Sequence, residues 1–349
     1  MAGPTVDEVR SAGLAAGLVA VGITDTAPLL EARATLVERK AAGLHGGMQF
    51  TYRNPERATD PGRLLPGARS LVVGAHPYAG GPVDPAPVGA DGWSEPQGRV
   101  ARYATVDHYA DLLAALRVIA ELLESHGHRT RVVADDNALV DRAVAQRAGV
   151  GWFGRNANVL VPDHGSWVVL GTVVTDAELT PSEPVADGCG SCRRCLDGCP
   201  TGAIVDAGVV DARRCLAWLV QAEGPIPVEF REALGDRLYG CDDCQEVCPP
   251  SRRGVEGEVR VPAAGAWVGL VDLLSAGDDE LMARHGRWYV PRRDPRYLRR
   301  NALVALGNTA EPGDERARAV LVRYADGDDT LLAEHARWGL RRVAERVGA

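Results

Sequence analysis

A chain of 349 residues is long enough for two or three domains with cores of their own. Its 46% hydrophobic and 25% charged residues are the balance of a soluble globular protein, and exclude a disordered or fibrous chain. A net charge of −8 argues against a surface coated by nucleic acid, though it leaves room for a local basic patch.

The N-terminus has no basic segment followed by an apolar core and a cleavage site, so no secretory leader is expected. The longest apolar run, Leu14 to Ile23, is about half a membrane span and holds glycines. The expectation is a cytoplasmic protein with reduced thiols and no membrane association. Over residues 5–41, Val6, Val9, Leu14, Leu18, then Leu29, Leu30, Leu36 and Val37 recur at helical spacing, which predicts helix. Residues 45–70 are rich in Gly and Pro and read as a loop with short helical turns. Ser70–His76 is a short apolar run between turn signals, a buried strand. Residues 79–98 read as a surface loop. Residues 108–126 carry one apolar stripe and predict an amphipathic helix.

Arg129–Ala134 reads as a strand and Asp135–Ala148 as a helix, with Asp135 and Asp136 placed to cap it. Val159–Val161 and Trp167–Thr175 read as a strand pair around the turn at 163–165. The alternation predicts one α/β (α+β) domain over residues 1–180. Residues 181–188 are a polar linker that opens a second domain, 181–262. The remainder, 263–349, reads as all helix. There Leu298, Ala302 and Leu306 return at an offset of 34 as Leu332, Ala336 and Leu340. That is either a HEAT-like helical repeat or two ordinary amphipathic helices.

The middle domain holds all eight cysteines. Cys189, Cys192, Cys195 and Cys199 follow C-x2-C-x2-C-x3-C-P, a spacing that wraps consecutive thiolates round a [4Fe–4S] cluster. In two-cluster ferredoxins the fourth cysteine of such a run serves the other cluster. One cluster is therefore assigned to Cys189, Cys192, Cys195 and Cys248, the other to Cys199, Cys215, Cys241 and Cys244. Cys248-Pro249 mirrors Cys199-Pro200, in keeping with crossed pairing. Two structural zinc sites are the rival, but they more often show two separated C-x2-C pairs. Two clusters conduct single electrons, so a ferredoxin-like domain needs an acceptor. The 180 residues before it are large enough to hold one, yet no G-x-G-x-x-G follows a predicted strand.

Residues 284–300 hold seven arginines and one acid, against the sign of the whole chain. Trp288, Tyr289 and Tyr297 are interleaved. Most such runs are solvated faces. Arginine also pairs with phosphate and stacks on bases, which makes Arg287, Arg292, Arg293, Arg296, Arg299 and Arg300 candidate nucleic-acid contacts.

The succession RYA…HYADLL, RVVADDNALVDRAVAQRAGVGWFGRN, GSWVVLGTVVTD, CGSCRRCLDGCPTGAI, DARRCLAW, YGCDDCQEVCP and RRNALVALGN resembles the epoxyqueuosine reductase family. The likeness runs from about residue 45 to the C-terminus. It implies a base-off cobalamin fed by the two [4Fe–4S] clusters, as in the related reductive dehalogenases. It also implies reduction of epoxyqueuosine to queuosine at the tRNA wobble position, with the C-terminal helices holding the anticodon stem-loop. The family's general acid falls on Asp135. Arg57, Tyr103, Asp135, Arg155, Asn156, Asn158 and Trp167 become candidates for the cobalamin site. An external electron donor of flavodoxin or ferredoxin type, or one not yet known, and a monomeric state complete the expectation.

The chain departs from the family pattern at His108-Tyr109-Ala110, at Arg155 in place of lysine and at Ser251 in place of asparagine. A small-molecule reductase with the same cofactors and a non-catalytic ferredoxin-type carrier are the competing functions.

Overall fold

The computed structural model describes residues 3–79, 93–254 and 265–346. They fall into two compact units, each discontinuous in sequence. The first takes the described parts of Met1–Ala79, Asp107–Ala212 and Asp243–Glu258, and the second those of Gly80–Val106, Arg213–Asp242 and Val259–Ala349.

The first unit is built on a four-stranded antiparallel sheet in the order Ala20–Asp25, Ser70–Pro77, Val168–Thr175, Thr130–Ala134. Its central strands are covered on both faces, which is why SLVVGAH is continuously apolar rather than alternating. On one face Val72 and Val173 meet Val9 of the helix Val6–Ala15 and Leu112, Leu116, Ile119 and Leu123 of the helix His108–Ser125. Those four recur at helical spacing and make one stripe. The helix starts where the Asp107 side chain accepts the Ala110 N–H at 3.1 Å. A cross-strand pair, Gly74 opposite Gly171, gives Leu116 its seat. A Cβ on Gly171 would stand 2.6 Å from a Leu116 methyl, and one on Gly74 3.0 Å from the other. On the opposite face Leu71, Val73 and Val174 pack with Leu139, Val144, Ala145 and Ala148, around the helix Asp141–Arg147.

Four expectations are corrected here. Residues 20–25, read as helix, are a strand, because a short apolar run fits either period and only its partner at 70–75 decides. The strand Val168–Thr175 enters the central sheet, while Val159–Leu160 pairs with Trp152–Phe153, so the supposed hairpin is reduced to one bridge, Val161 to Gly165. The helix expected from Asp135 starts at Asp141. Asp136 therefore caps nothing helical; its carboxylate accepts the Ala138 N–H at 2.8 Å in a local turn.

The second unit has a three-stranded sheet, Arg237–Tyr239, Gln97–Val100 and Trp267–Gly269. The strand at 267–269 interrupts the all-helical reading of the C-terminal third, and the one at 97–100 ends the loop expected over 79–98, of which 80–92 lies outside the described residues. The helix Arg296–Thr309 is buried from Tyr297 through Gly307, so it is this unit's centre rather than a surface stripe. It packs on the helix Thr330–Glu345, where a Cβ on Gly307 would lie 2.6 Å from Gly339 Cα. Leu298, Ala302, Leu306, Leu332 and Ala336, residues of the 34-spaced repeat, share this core. Among the described residues no helix is long and apolar enough to cross a membrane.

Candidate functional site

None of the eight cysteines, all among the described residues, is in a disulfide. In the first unit, Cys195 lies in the single helical turn Arg194–Asp197, and Cys248 precedes the helix Pro249–Arg253. Pro249 stands at that helix's first position, where a missing N–H costs nothing. These local turns bring Cys189, Cys192, Cys195 and Cys248 to the wall of one cavity of about 120 Å³, together with Arg155 and Asn156. Among the described residues no three His, Cys, Asp or Glu side chains close on a single metal ion. Burial pushes the Cys195 and Cys248 thiols up, and neighbouring cysteines push them further. Arg155, Arg194 and Arg253 bring positive charge to the same cavity, and an iron–sulfur cube would bring more between the thiolates. The Trp152 indole N–H already donates to Cys189 Sγ at 3.4 Å. Cys199 accepts the Ala203 N–H at 3.2 Å, and with Cys244 it belongs to the first unit, whereas Cys215 and Cys241 belong to the second.

A second constellation of the first unit centres on Asp135. It directly follows the strand Thr130–Ala134 with φ of +50°, a conformation rare for any residue but glycine, asparagine or aspartate. The residue is exposed. The protein packed around it raises the carboxyl above its usual range, and the Asp136 carboxylate raises it further. Asp141 is raised well above that range, first by burial and then by Asp135. One Asp141 carboxylate oxygen is buried with no hydrogen-bond partner among the described residues. Burial, Asp135 and Asp141 also raise the Tyr109 phenol. Burial and mutual repulsion make ionisation of Asp135, Asp141 and the Tyr109 phenol more costly than in water.

The other cobalamin-site candidates differ in their surroundings. Arg57 is exposed on the short helix Pro55–Ala58, and Asn158 is half-buried. Arg155 donates to the Gly190 carbonyl at 2.6 Å and, with Asn156, belongs to the cysteine cavity. Trp167 is corrected to a core residue: it is 1% exposed, and its indole N–H donates to the Ser251 carbonyl at 2.8 Å. Tyr103 lies in the second unit, where its hydroxyl accepts from Gln221 at 3.3 Å. Sequence reasoning passed over Trp152, Asp141 and Tyr109. Trp152 carried a usable signal, since it stands four residues before Asn156 in the same glycine-rich loop.

The arginine run also separates, all within the second unit. Arg300 is fully buried and donates to the Leu219, Ala222 and Gly224 carbonyls at 2.9, 2.7 and 2.5 Å. Burial draws its pKa down to about 10, so it stays charged at neutral pH. Arg299 is 9% exposed, bound to Asp278 at 2.5 Å and to the Ala276 carbonyl at 2.9 Å. Both are corrected to structural residues, because a guanidinium held inside the fold cannot reach a phosphate. Arg287 donates to the Thr105 and Val106 carbonyls, and Arg296 pairs with Asp294 at 2.8 Å. Arg292 and Arg293 are exposed on a turn where both have φ of +55°. Of the interleaved aromatics, Tyr289 is exposed, while Trp288 and Tyr297 are buried.

Residues 188–251 match the 4Fe-4S double cluster binding domain, so the chain is a mixed α/β protein with a double-cluster segment. The epoxyqueuosine reductase of Bacillus cereus is 32% identical over 302 residues, covering 84% of this chain and 78% of that protein. That of Escherichia coli is 34% identical over 318 residues, covering 88% and 82%. The chain belongs to the epoxyqueuosine reductase family. A crystal structure of an epoxyqueuosine reductase with an epoxyqueuosine-modified tRNA-Tyr stem loop superposes with a TM-score of 0.85, at 31% identity, over 97% of this chain and 89% of that one. The Streptococcus thermophilus epoxyqueuosine reductase gives 0.86 at 28% identity, over 97% and 90%. As a member of this family the chain is an oxidoreductase.

Proposed function

We propose that this enzyme reduces epoxyqueuosine to queuosine at the wobble position of tRNA. The supporting observation is a likeness over 97% of the chain to an epoxyqueuosine reductase solved with its modified stem loop. The reaction takes an epoxide, two electrons and two protons to an alkene and water. The cysteine cavity supports an electron path, and the Asp135 constellation supports a proton path.

Cysteines 189, 192, 195 and 248 hold one [4Fe–4S] cluster in this reading, and cysteines 199, 215, 241 and 244 the other. The acceptor is a base-off cobalamin, which when bound supplies low-potential electrons to the epoxide. Arg57, Asp135 and Asn158 fit such a ligand, since each keeps polar atoms at or near the surface for its carboxamide rim. Asp135 serves as the acid that protonates the departing oxygen. Its raised pKa keeps a larger share protonated near neutrality than an ordinary aspartate would.

Residues 1–180 form the cobalamin-binding domain, 181–262 the ferredoxin-like domain and 263–349 a HEAT-like tRNA-binding domain. Arg287, Arg292, Arg293, Arg296 and Tyr289 face the anticodon stem-loop. A one-electron carrier of flavodoxin or ferredoxin type feeds a monomeric, cytoplasmic enzyme.

Mass spectrometry of tRNA nucleosides after incubation with the reconstituted holoenzyme and a strong reductant tests this. Conversion of epoxyqueuosine to queuosine is expected. Bound corrinoid without conversion leaves a small-molecule reductase, and about eight irons with no corrinoid leave an electron carrier. Asp135→Asn is expected to lose about 10²-fold or more in turnover with iron and corrinoid retained. Wild-type turnover should fall as pH rises through the raised Asp135 pKa, because the proton is then lost. A flat pH profile or an active Asp135→Asn enzyme refutes the acid assignment.

A further inference from the structure

Besides its cysteines and the guanidiniums of Arg155, Arg194 and Arg253, the cavity is lined by a buried amide. Asn156 is 4% exposed and lines the cavity beside the four cysteines. Its amide oxygen accepts the Asn158 N–H at 3.1 Å, which fixes which end of the amide is which. The other end, Nδ2, is buried and has no hydrogen-bond partner among the described residues. A buried amide N–H left unpaired loses its solvation and gains nothing in return, so a group in this position points to a missing acceptor. The cavity walls offer sulfur, and sulfur is the acceptor that a cluster would bring. Trp152 sets the precedent behind Cys189, since its indole N–H already meets Cys189 Sγ at 3.4 Å.

We infer that Asn156 donates its Nδ2–H to a sulfur of the [4Fe–4S] cluster held by Cys189, Cys192, Cys195 and Cys248, and that with Trp152 it sets this cluster's reduction potential. The inference rests on the reading of these four cysteines as a cluster site. Reduction adds one negative charge to the cube. An N–H dipole aimed at its sulfur favours that charge, so each such donor raises the potential. Asn156 and Trp152 are thus positioning residues that make the cluster easier to reduce by a soluble carrier. The bland alternative, that Asn156 only shapes the 154–158 turn through its oxygen, leaves Nδ2 unexplained.

Redox titration of the holoenzyme, followed by electron paramagnetic resonance, separates the two. Trp152→Phe removes one N–H while keeping an aromatic ring. Asn156→Thr keeps a side-chain oxygen for the turn and removes the amide donor. Each is expected to shift the one-electron equilibrium of this cluster about tenfold toward the oxidised state, about 59 mV for a one-electron couple. The second cluster's midpoint should hold. An Asn156→Thr enzyme with eight irons and an unmoved midpoint overturns the inference.

A wild-type measurement decides the matter even where a variant fails to fold. In holoenzyme labelled with side-chain ¹⁵N asparagine, the reduced cluster should show hyperfine coupling to an amide ¹⁵N. Absence of that coupling beside an intact [4Fe–4S] signal overturns the inference alone. A reconstituted protein with no [4Fe–4S] signal overturns the cluster reading, and the inference with it.

Discussion

The cysteine segments and the arginine run are both dense in one residue type, and they behave in opposite ways. Between 189 and 195 the spacing and the destination coincide: Cys189, Cys192 and Cys195 reach one cavity, and Cys248 joins them. Between 284 and 300 the seven arginines take different jobs. Arg300 ties three backbone carbonyls inside the fold, Arg299 and Arg284 hold acidic partners, and Arg292 and Arg293 remain exposed. The difference is chemical. Four thiolates on one cluster have a fixed mutual geometry, so their positions in sequence carry information. A guanidinium has five donors and a long stem, and it satisfies whatever acceptor its helix happens to face.

The largest expected effect tests the first half of that contrast. Cys248→Ser should drop iron from about eight to about four per chain and abolish reduction of the epoxide. Full iron content in this variant would break the assignment of Cys248 to the cluster cavity.

The next test compares two arginines of the run. Arg300→Ala leaves the Leu219, Ala222 and Gly224 carbonyls without their donor, and should cost about 3 kcal/mol or more of folding stability. Arg292→Ala removes an exposed pair with Glu223 at 3.0 Å, both partners more than half exposed, and should change stability by no more than about 0.5 kcal/mol. Urea titration of both variants measures the gap, and equal midpoints would show that burial does not sort this run.

The same contrast says what the sequence could carry. The strands at 70–77 and 168–175 were legible because each is a mostly apolar run, and the one at 130–134 because its β-branched residues follow a turn. The strand at 20–25 was not, since its length suits helix or strand until Ala20 to Asp25 meet their partners. The gathering of Cys189, Cys192, Cys195 and Cys248 was legible from spacing, since all four line one cavity. Asp135 needed the family resemblance, because an aspartate after a strand reads first as a helix cap. The structure removes that cap by starting the helix six residues later. Asn156 and Arg300 share a subtler obstacle. Each is a polar residue whose use depends on which acceptors tertiary packing places around it, and no local pattern encodes that.

The smallest effect concerns the exposed remainder of the run. Arg292 and Arg293 sit side by side on a turn with φ of +55°, and Tyr289 nearby is 59% exposed. If they meet the RNA backbone, each neutralises about one phosphate and releases its condensed counterion on binding. Binding of an anticodon stem-loop should then weaken linearly in log–log against salt. Arg292→Ala and Arg293→Ala should each reduce that slope by roughly 0.7 to 0.9, with affinity falling alike for modified and unmodified loops. Arg299 and Arg300, held inside the fold, make no such contribution. A stability-matched Arg299→Lys protein should therefore keep the wild-type slope. If Arg299→Lys flattens the slope while Arg292→Ala and Arg293→Ala do not, the RNA is bound elsewhere, and exposure is the wrong guide to this run.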